Sequence, residues 1–479
     1  MAGTPNIPLV VDLDGTLIRT DMLWESLVRR LRQNPFALFQ IGGWVLHGRA
    51  RLKKELAQRV QIDPATLPYH AALLAWLRTE KAAGRKIILA TASDLKMAQP
   101  IADHVGLFDA VLASDGKTNL RSENKLRALT QQFGERGFDY AGNSSADYPV
   151  WRGAHAAVVV NARPAVQKQA ATCTAIDRVF EPAASPLRAF VRCLRPHQWG
   201  KNLIIFVPTI AGHKMTDPVL LLHDLWAFLV FCICASGVYV VNDLLDLDAD
   251  RKHPTKQKRP FAAGQLALPL GLIAGPLLLV TGLAAAAALS WLFAGVVALY
   301  LVLTTAYSWH IKRMVLLDVF FLAGLYTIRL VAGHTATGIA YSAWLLMFSM
   351  FIFLSLALVK RYVEIAASRE TGSEQTKVAG RGYRLGDLEL VTSLGTGSGF
   401  IAALVLALYV NSQQVVVLYA HPNVLLIVCP LLLYWISRVW LLAHRCELHE
   451  DPVLFAVKDV PSYVIGALAL AVLWLATGP

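Results

Sequence analysis

The chain has 479 residues, 55% hydrophobic and 16% charged, with a mean hydropathy of +0.47, a net charge of +12 and a pI near 9.4. This balance points to an integral membrane protein with room for two or three domains. The basic excess flanks hydrophobic segments and carries no aromatic-basic RNA signature, so no nucleic-acid partner is expected, and cytoplasmic loops, anionic lipid and phosphorylated substrates explain it better.

The opening stretch, MAGTPNIPLVVDLDGT, has no positively charged start and no long apolar stretch, so no signal peptide is expected. Residues 1–183 contain no apolar run of membrane length. Four short runs read as buried strands: Ile7–Leu13, Lys86–Ala90, Phe138–Ala141 and Val158–Val160. Helical stretches between them predict an alternating α/β domain with a parallel sheet, and polar residues cluster at the carboxyl ends of the strands, where such sheets bind ligands. The six cysteines (Cys173, Cys193, Cys232, Cys234, Cys429, Cys446) form no CxxC and no metal spacing, and read as reduced and structural.

Asp-Leu-Asp-Gly-Thr (12–16) follows the first strand and Thr91 the second, Lys125 opens a helix, and Gly-Asn-Ser-Ser-Ala-Asp (142–147) follows a third strand. In that order they resemble the haloacid dehalogenase-type phosphatases, with residues of about 20–80 resembling a small helical cap. The resemblance implies a Rossmann-like fold and Mg²⁺. It makes Asp12 the nucleophile that forms an aspartyl-phosphate, Asp14 the acid/base, Thr91 a phosphoryl hydrogen-bond donor and Lys125 the counter-charge. Asp12, Asp14, Asn143 and Asp147 would surround the metal. Asn143 stands where the family carries an acid, which removes one negative charge from that site.

Residues 184–195 read as a linker. Beyond it, about nine membrane spans are expected, near 202–213, 219–242, 266–287, 290–309, 315–333, 342–360, 390–410, 422–442 and 461–477; the first is short for a bilayer. The loops after the even-numbered spans hold the basic residues, Arg251 to Arg259, Lys312 and Arg313, Lys360 to Arg384, and Arg445 with Lys458. The alternate connections hold almost only Lys214. This asymmetry places the basic loops and the N-terminal domain on the cytoplasmic side of the membrane. Lys360, Arg361 and Glu364 are expected at the membrane boundary or at the site, and Arg329, deep in a span, needs a partner that Asp318 is poorly placed to supply.

Four aspartates lie where the second span ends, in Asn-Asp-Leu-Leu-Asp-Leu-Asp-Ala-Asp (242–250). Continued helix would put Asn242, Asp246 and Asp250 on one face, with Asp243 at its edge. Like charges so stacked repel, so a positive group is required: the cluster Arg251, Lys252, Lys256, Lys258 and Arg259, or a divalent cation. Mg²⁺ prefers carboxylate oxygens and keeps positions open for phosphates, so the stretch reads as a Mg²⁺ and diphosphate site.

The NDxxDxxxD element, its basic loop and the spans resemble the UbiA-type prenyltransferase superfamily over residues 190–479, an all-α membrane fold. Most members carry a second Asp-rich element; here that region has only Asp318, with Tyr307 and Lys312 ahead of it. With Arg-Pro-His-Gln-Trp-Gly-Lys-Asn (195–202), this is more similar to the decaprenyl-phosphate phosphoribosyltransferase branch. That resemblance implies transfer of 5-phosphoribose from phosphoribosyl diphosphate to polyprenyl phosphate, with Mg²⁺ at Asn242, Asp246 and Asp250. Lys201, Arg251, Lys258, Arg259, Tyr307 and Lys312 would hold the phosphates. The N-terminal domain (1–183) is then expected to remove the 5-phosphate made by the membrane domain (196–479). Prenyl transfer to an aromatic acceptor and a non-catalytic lipid-binding or transport role are the competing readings.

Overall fold

The computed structural model describes residues 7–114, 119–182, 185–369, 382–448, 452–456 and 458–478. Its contacts divide the chain into two compact units, Met1–Leu194 with Tyr239–Pro276, and Arg195–Val238 with Leu277–Pro479.

The first unit is built on a six-stranded, all-parallel sheet: β1 (Leu9–Val11), β2 (Ile87–Asp94), β3 (Ala110–Ser114), β4 (Asp139–Gly142), β5 (Ala156–Val160) and β6 (Ala175–Phe180), in the order β3-β2-β1-β4-β5-β6. Helices cover both faces, so the central strands are buried on both sides and read as unbroken apolar runs. β1 sits in the middle, pairing Leu9–Val11 with Ile87–Leu89 on one side and Asp139–Ala141 on the other. The strand order reverses there, and the cleft at the carboxyl ends of β1 and β4 is where doubly wound sheets place ligands. The sequence reading does not include β3 and β6, the two edge strands: β3 is only half buried, and Asp177 and Arg178 interrupt the apolar residues of β6.

After β1 the chain forms a helical cap: α1 (Met22–Gln33), α2 (Ala37–Leu46) and α3 (Arg49–Arg59), before α4 (Ala71–Ala82) returns to the sheet. The Asp21 side chain caps α1 by accepting from Leu23 N at 2.8 Å. Leu27, Ala37, Ile41, Leu52 and Leu56 form the cap's own core. Residues 186–194, expected within a linker, are helical.

Eight helices among the described residues are long and apolar enough to cross a bilayer: Pro218–Leu245, Leu268–Leu289, Trp291–Trp309, Leu317–Thr337, Ala343–Ala367, Leu385–Val410, Pro422–His444 and Val460–Thr477. The expected span at 202–213 is instead a 3₁₀ segment, Pro196–Phe206, and one short helix, Val207–Ala211. Pro196 and Pro208 each remove a backbone donor there, consistent with the short run. Lys377 and Arg381 of the basic loop lie outside the described residues.

In the second unit, small residues let helices close on one another. A Cβ on Gly395 would stand 2.1 Å from Trp440, and one on Gly399 would stand 2.6 Å from Ile436. Trp440 Nε1 donates to Ser355 Oγ at 3.2 Å, and Ser355 Oγ donates to the Gly395 carbonyl at 2.7 Å. Small residues four apart, with hydroxyl bonds across helices, supply packing where lipid offers no hydrophobic driving force.

Candidate functional site

The turn after β1 delivers Asp12 and Asp14 to the switch point. Asp12 N donates to Ala141 O at 3.0 Å, which pins the turn to β4. Gly15 has φ +77°, and a Cβ there would stand 2.0 Å from Asn143 Nδ2, so the Asn143 amide lies against the turn and the position requires glycine.

A buried polar chain runs from Asp12. Lys125 Nζ donates to Asp12 Oδ1 at 2.6 Å and to Tyr140 Oη at 2.9 Å, and Tyr140 Oη donates to Asp147 Oδ1 at 2.9 Å. Asp147 Oδ2 accepts from Asn143 N, Ser144 N and Ser144 Oγ at 3.1, 2.9 and 3.1 Å. Asp147 therefore shapes the loop that presents Asn143. Burial raises the Asp12 carboxyl above the usual range; Lys125 opposes that rise and Asp147 adds to it. Asp14 is raised by burial and by the charges of Asp21 and Asp12, while its bonds from Met22 N and Ser93 Oγ, both 2.8 Å, pull the other way. Tyr140 is pushed well above its usual value by burial and the two neighbouring carboxylates, so it stays a neutral donor.

Thr91 is fully buried, and its Oγ1 accepts from Ser93 N at 3.0 Å. It shapes the turn that brings Ser93 to Asp14. The sequence reading does not include Ser93, Tyr140 and Arg19; Ser93 sits at the carboxyl end of β2, a place marked as ligand-binding, whereas Tyr140 lies within β4. A cleft of about 1390 Å³ opens over Asp12, Asp14, Lys125, Asn143 and Asp147, with Arg19, Arg121 and Arg163 on its walls. Buried carboxylates ringed by cations suit a phosphate monoester.

The acidic stretch of the same unit keeps the expected helical face. Backbone bonds run from Asp246 N to Asn242 O (2.9 Å) and from Asp250 N to Asp246 O (2.8 Å), although the helix breaks at Asp246. Arg259 bridges Asp243 (3.1 Å) and Asp250 (2.7 Å), both almost fully buried, so the edge residue Asp243 joins the cluster. Burial raises the Asp250 carboxyl, the Arg259 guanidinium lowers it and Asp243 raises it further. One guanidinium is thus shared by two acids, and Lys256 also lowers the Asp250 carboxyl.

Arg251 requires a correction. Expected at a phosphate, it pairs with Glu25 of α1 at 2.7 Å and donates to Ala262 O at 3.1 Å. Glu25 also receives Arg29, which in turn holds Asp248 at 2.5 Å. Arg251 is thus a structural clamp. Lys258 is exposed at the end of a single 3₁₀ turn.

In the second unit, Lys201 and Arg329 both lie over the Tyr326 ring, at 5.8 and 5.5 Å from its centroid. Arg329 also covers Tyr300 at 5.1 Å and donates to Asn202 Oδ1 at 2.8 Å, so its expected partner is an amide and two rings. Asp318 belongs elsewhere: fully buried Arg361 pairs with it at 2.9 Å, and Tyr383 Oη donates to it at 2.7 Å. Arg361 also meets Glu364, so it is an interior ion pair and not a boundary marker. Tyr307 and Lys312 are half-buried, Lys312 in the 3₁₀ turn Ile311–Arg313.

No three acidic, histidine or cysteine side chains among the described residues form a ready-made metal cage. Mg²⁺ held by one or two carboxylates plus substrate phosphates needs none, and the oxygen-only donors at Asp12 and Asn143, and at Asn242, Asp243, Asp246 and Asp250, fit that ion.

Residues 205–476 match the UbiA prenyltransferase family. The chain belongs to that family. Residues 9–152 match the haloacid dehalogenase-like hydrolases, and the N-terminal domain has that fold. Over 465 residues (96% of this chain, 89% of the other) the UbiA chain is 40% identical to the uncharacterized protein y4nM of Sinorhizobium fredii. Over 295 residues (61% and 95%) it is 37% identical to nodulation protein NoeC of Azorhizobium caulinodans. Over 201 residues (41% and 67%) it is 37% identical to decaprenyl-phosphate phosphoribosyltransferase of Mycobacterium tuberculosis. It is a polytopic membrane enzyme of the UbiA family with a hydrolase-type domain.

Proposed function

We propose that the membrane domain transfers 5-phosphoribose from phosphoribosyl diphosphate to a polyprenyl phosphate, and that the N-terminal domain then removes the 5-phosphate. The observation that carries this reading is the pairing of Asp318 with Arg361 and Tyr383. It commits the lone acid of the second region, so one acidic motif serves one diphosphate. The likeness to the phosphoribosyltransferases supports the same donor.

A lipid phosphate oxygen, already ionised at neutral pH, forms the bond to the anomeric carbon. The bond to pyrophosphate breaks and its electron pair leaves with the pyrophosphate, so no general base is needed. Asn242, Asp246 and Asp250, with Asp243, would hold Mg²⁺, which when bound neutralises charge on the departing group. Lys201, Lys258, Arg259, Tyr307 and Lys312, now joined by Arg329, would hold the phosphates. The basic loops and both sites would face the cytoplasm.

In the phosphatase step Asp12 attacks phosphorus and the ester P–O bond breaks. Asp14, with its raised carboxyl, gives a proton to the leaving ribose oxygen. Water then hydrolyses the aspartyl-phosphate, while Lys125 offsets the charge and Asp12 and Asn143 would hold Mg²⁺. Tethering the two steps raises the effective concentration of the intermediate.

Purified enzyme given radiolabelled phosphoribosyl diphosphate and polyprenyl phosphate should form a labelled lipid and release inorganic phosphate. Asp12→Asn should stop the phosphate release and leave the phosphorylated lipid to accumulate. Consumption of a prenyl diphosphate in place of phosphoribosyl diphosphate would establish prenyl transfer instead.

A further inference from the structure

The cap helix α2 has the sequence ALFQIGGWVL, without one charged residue. Its inner side is accounted for: Ala37 and Ile41 are buried, and the cap core they join also packs Trp44 and Leu272. Its outer side is not. Phe36 just ahead of the helix is 77% exposed, Phe39 80% and Leu46 88%, with Leu38 also exposed. A cap whose only task was to cover a cleft would turn such side chains inward or replace them with polar ones.

Two further observations say what covers this face. Leu272 belongs to Leu268–Leu289, one of the helices long and apolar enough to cross a bilayer, and Leu270 and Ile273 of that helix are themselves exposed. The apolar core of the cap, which α2 helps to build, therefore packs against the start of a membrane span. Residues 30–59 also carry seven lysines and arginines against a single acid, Glu55, placed on both sides of α2 and absent from it. Exposed Arg32 and Arg51 flank the apolar face. Apolar residues on one face with cations at the flanks is the pattern of a helix lying in the interface of an anionic leaflet.

We propose that α2 lies in the headgroup–acyl boundary of the bilayer and seats the phosphatase cleft on the lipid surface. Val45 of α2, with Trp24, Leu52 and Leu268, forms an apolar side of the cleft that holds Asp12 at its polar end. A phosphate monoester attached to a lipid can then reach Asp12 while its chain stays in the membrane. This last consequence rests on the proposed phosphatase reading; the membrane contact does not.

The test uses the full chain in nanodiscs of phosphatidylethanolamine and phosphatidylglycerol doped with a diazirine-bearing phospholipid, with adducts mapped by mass spectrometry after illumination. Adducts are expected within residues 36–46 as well as on the span peptides. Adducts confined to the spans, or cross-links from 36–46 to a second copy of the chain, would overturn the proposal. A second arm combines Phe36→Ser, Phe39→Ser and Leu46→Ser, which leaves the packed Ala37, Ile41 and Trp44 in place. Hydrolysis of the soluble ester p-nitrophenyl phosphate should change by less than about twofold, while phosphate release from the lipid-linked substrate should fall by more than about tenfold. An equal loss on both substrates would count against the seating role. Labelled 36–46 peptides in an enzyme that hydrolyses neither ester would leave the membrane contact standing and refute the phosphatase reading.

Discussion

Lys125 is the residue on which the phosphatase cleft depends electrostatically. Among the described residues its ammonium is the cation hydrogen-bonded to buried Asp12, and burial already raises that carboxyl. Lys125→Ala should lower phosphate release from a soluble ester by about 10²–10³-fold, as loss of one preorganised charge commonly does, without altering ribosyl transfer. Arg361 presents the corresponding case in the membrane. Removing one member of a buried ion pair costs about 3–5 kcal/mol because the other charge is stranded, whereas replacing both is often neutral. Arg361→Leu should therefore lower the thermal midpoint of the detergent-solubilised chain sharply, and the double change with Asp318→Leu should recover most of the loss. At this scale the Asp12–Thr16 and Gly142–Asp147 stretches were legible because they lie at the carboxyl ends of strands, where local sequence dictates position, and Lys125 because it opens a helix. Ser93 and Tyr140 were not, since a serine at a strand end or a tyrosine inside a strand signals nothing until its partner is known.

Between elements, the clamp of Glu25 with Arg29 and Arg251 ties α1 to the segment after the acidic motif. Burial would raise Glu25, but Arg251 and Arg29 more than offset it and hold the carboxyl below its ordinary 4.5. A depressed folded-state value means the stabilisation is present above the unfolded-state value and lost as pH falls towards the folded one. The unfolding midpoint of the parent should thus exceed that of Glu25→Gln at pH 7, and the gap should narrow below about pH 4.5, where the unfolded carboxylate starts to protonate. Melting curves of both chains from pH 7 to 4 check this. Arg251 could not be assigned from the sequence because its partner lies 226 residues away, and a basic loop beside an acidic motif reads equally well as phosphate-binding. Likewise β6 is not legible in the sequence because the adjacent Asp177 and Arg178 break its apolar run, as an exposed edge permits.

For the whole molecule, two chemistries in one chain should be separable. Replacing Asp243 and Asp250 by asparagine should abolish ribosyl transfer and leave hydrolysis of p-nitrophenyl phosphate within about twofold of the parent, because the cleft at Asp12 draws on neither carboxylate. Asp12→Asn should do the reverse. A common loss of both activities would mean that the acidic motif is needed for folding rather than chemistry. The sequence by itself determined the membrane class, the parallel sheet, the order of the phosphatase residues and the acidic stretch, since these rest on composition, periodicity and neighbours within a few residues. Only the tertiary structure decided that Asp243 belongs with Asp250, that Arg251 faces Glu25, that Asp318 is bound to Arg361 and that Arg329 rests on tyrosine rings. Those are choices among many charges of the right sign, and a buried charge takes its partner from whatever the packing brings within reach.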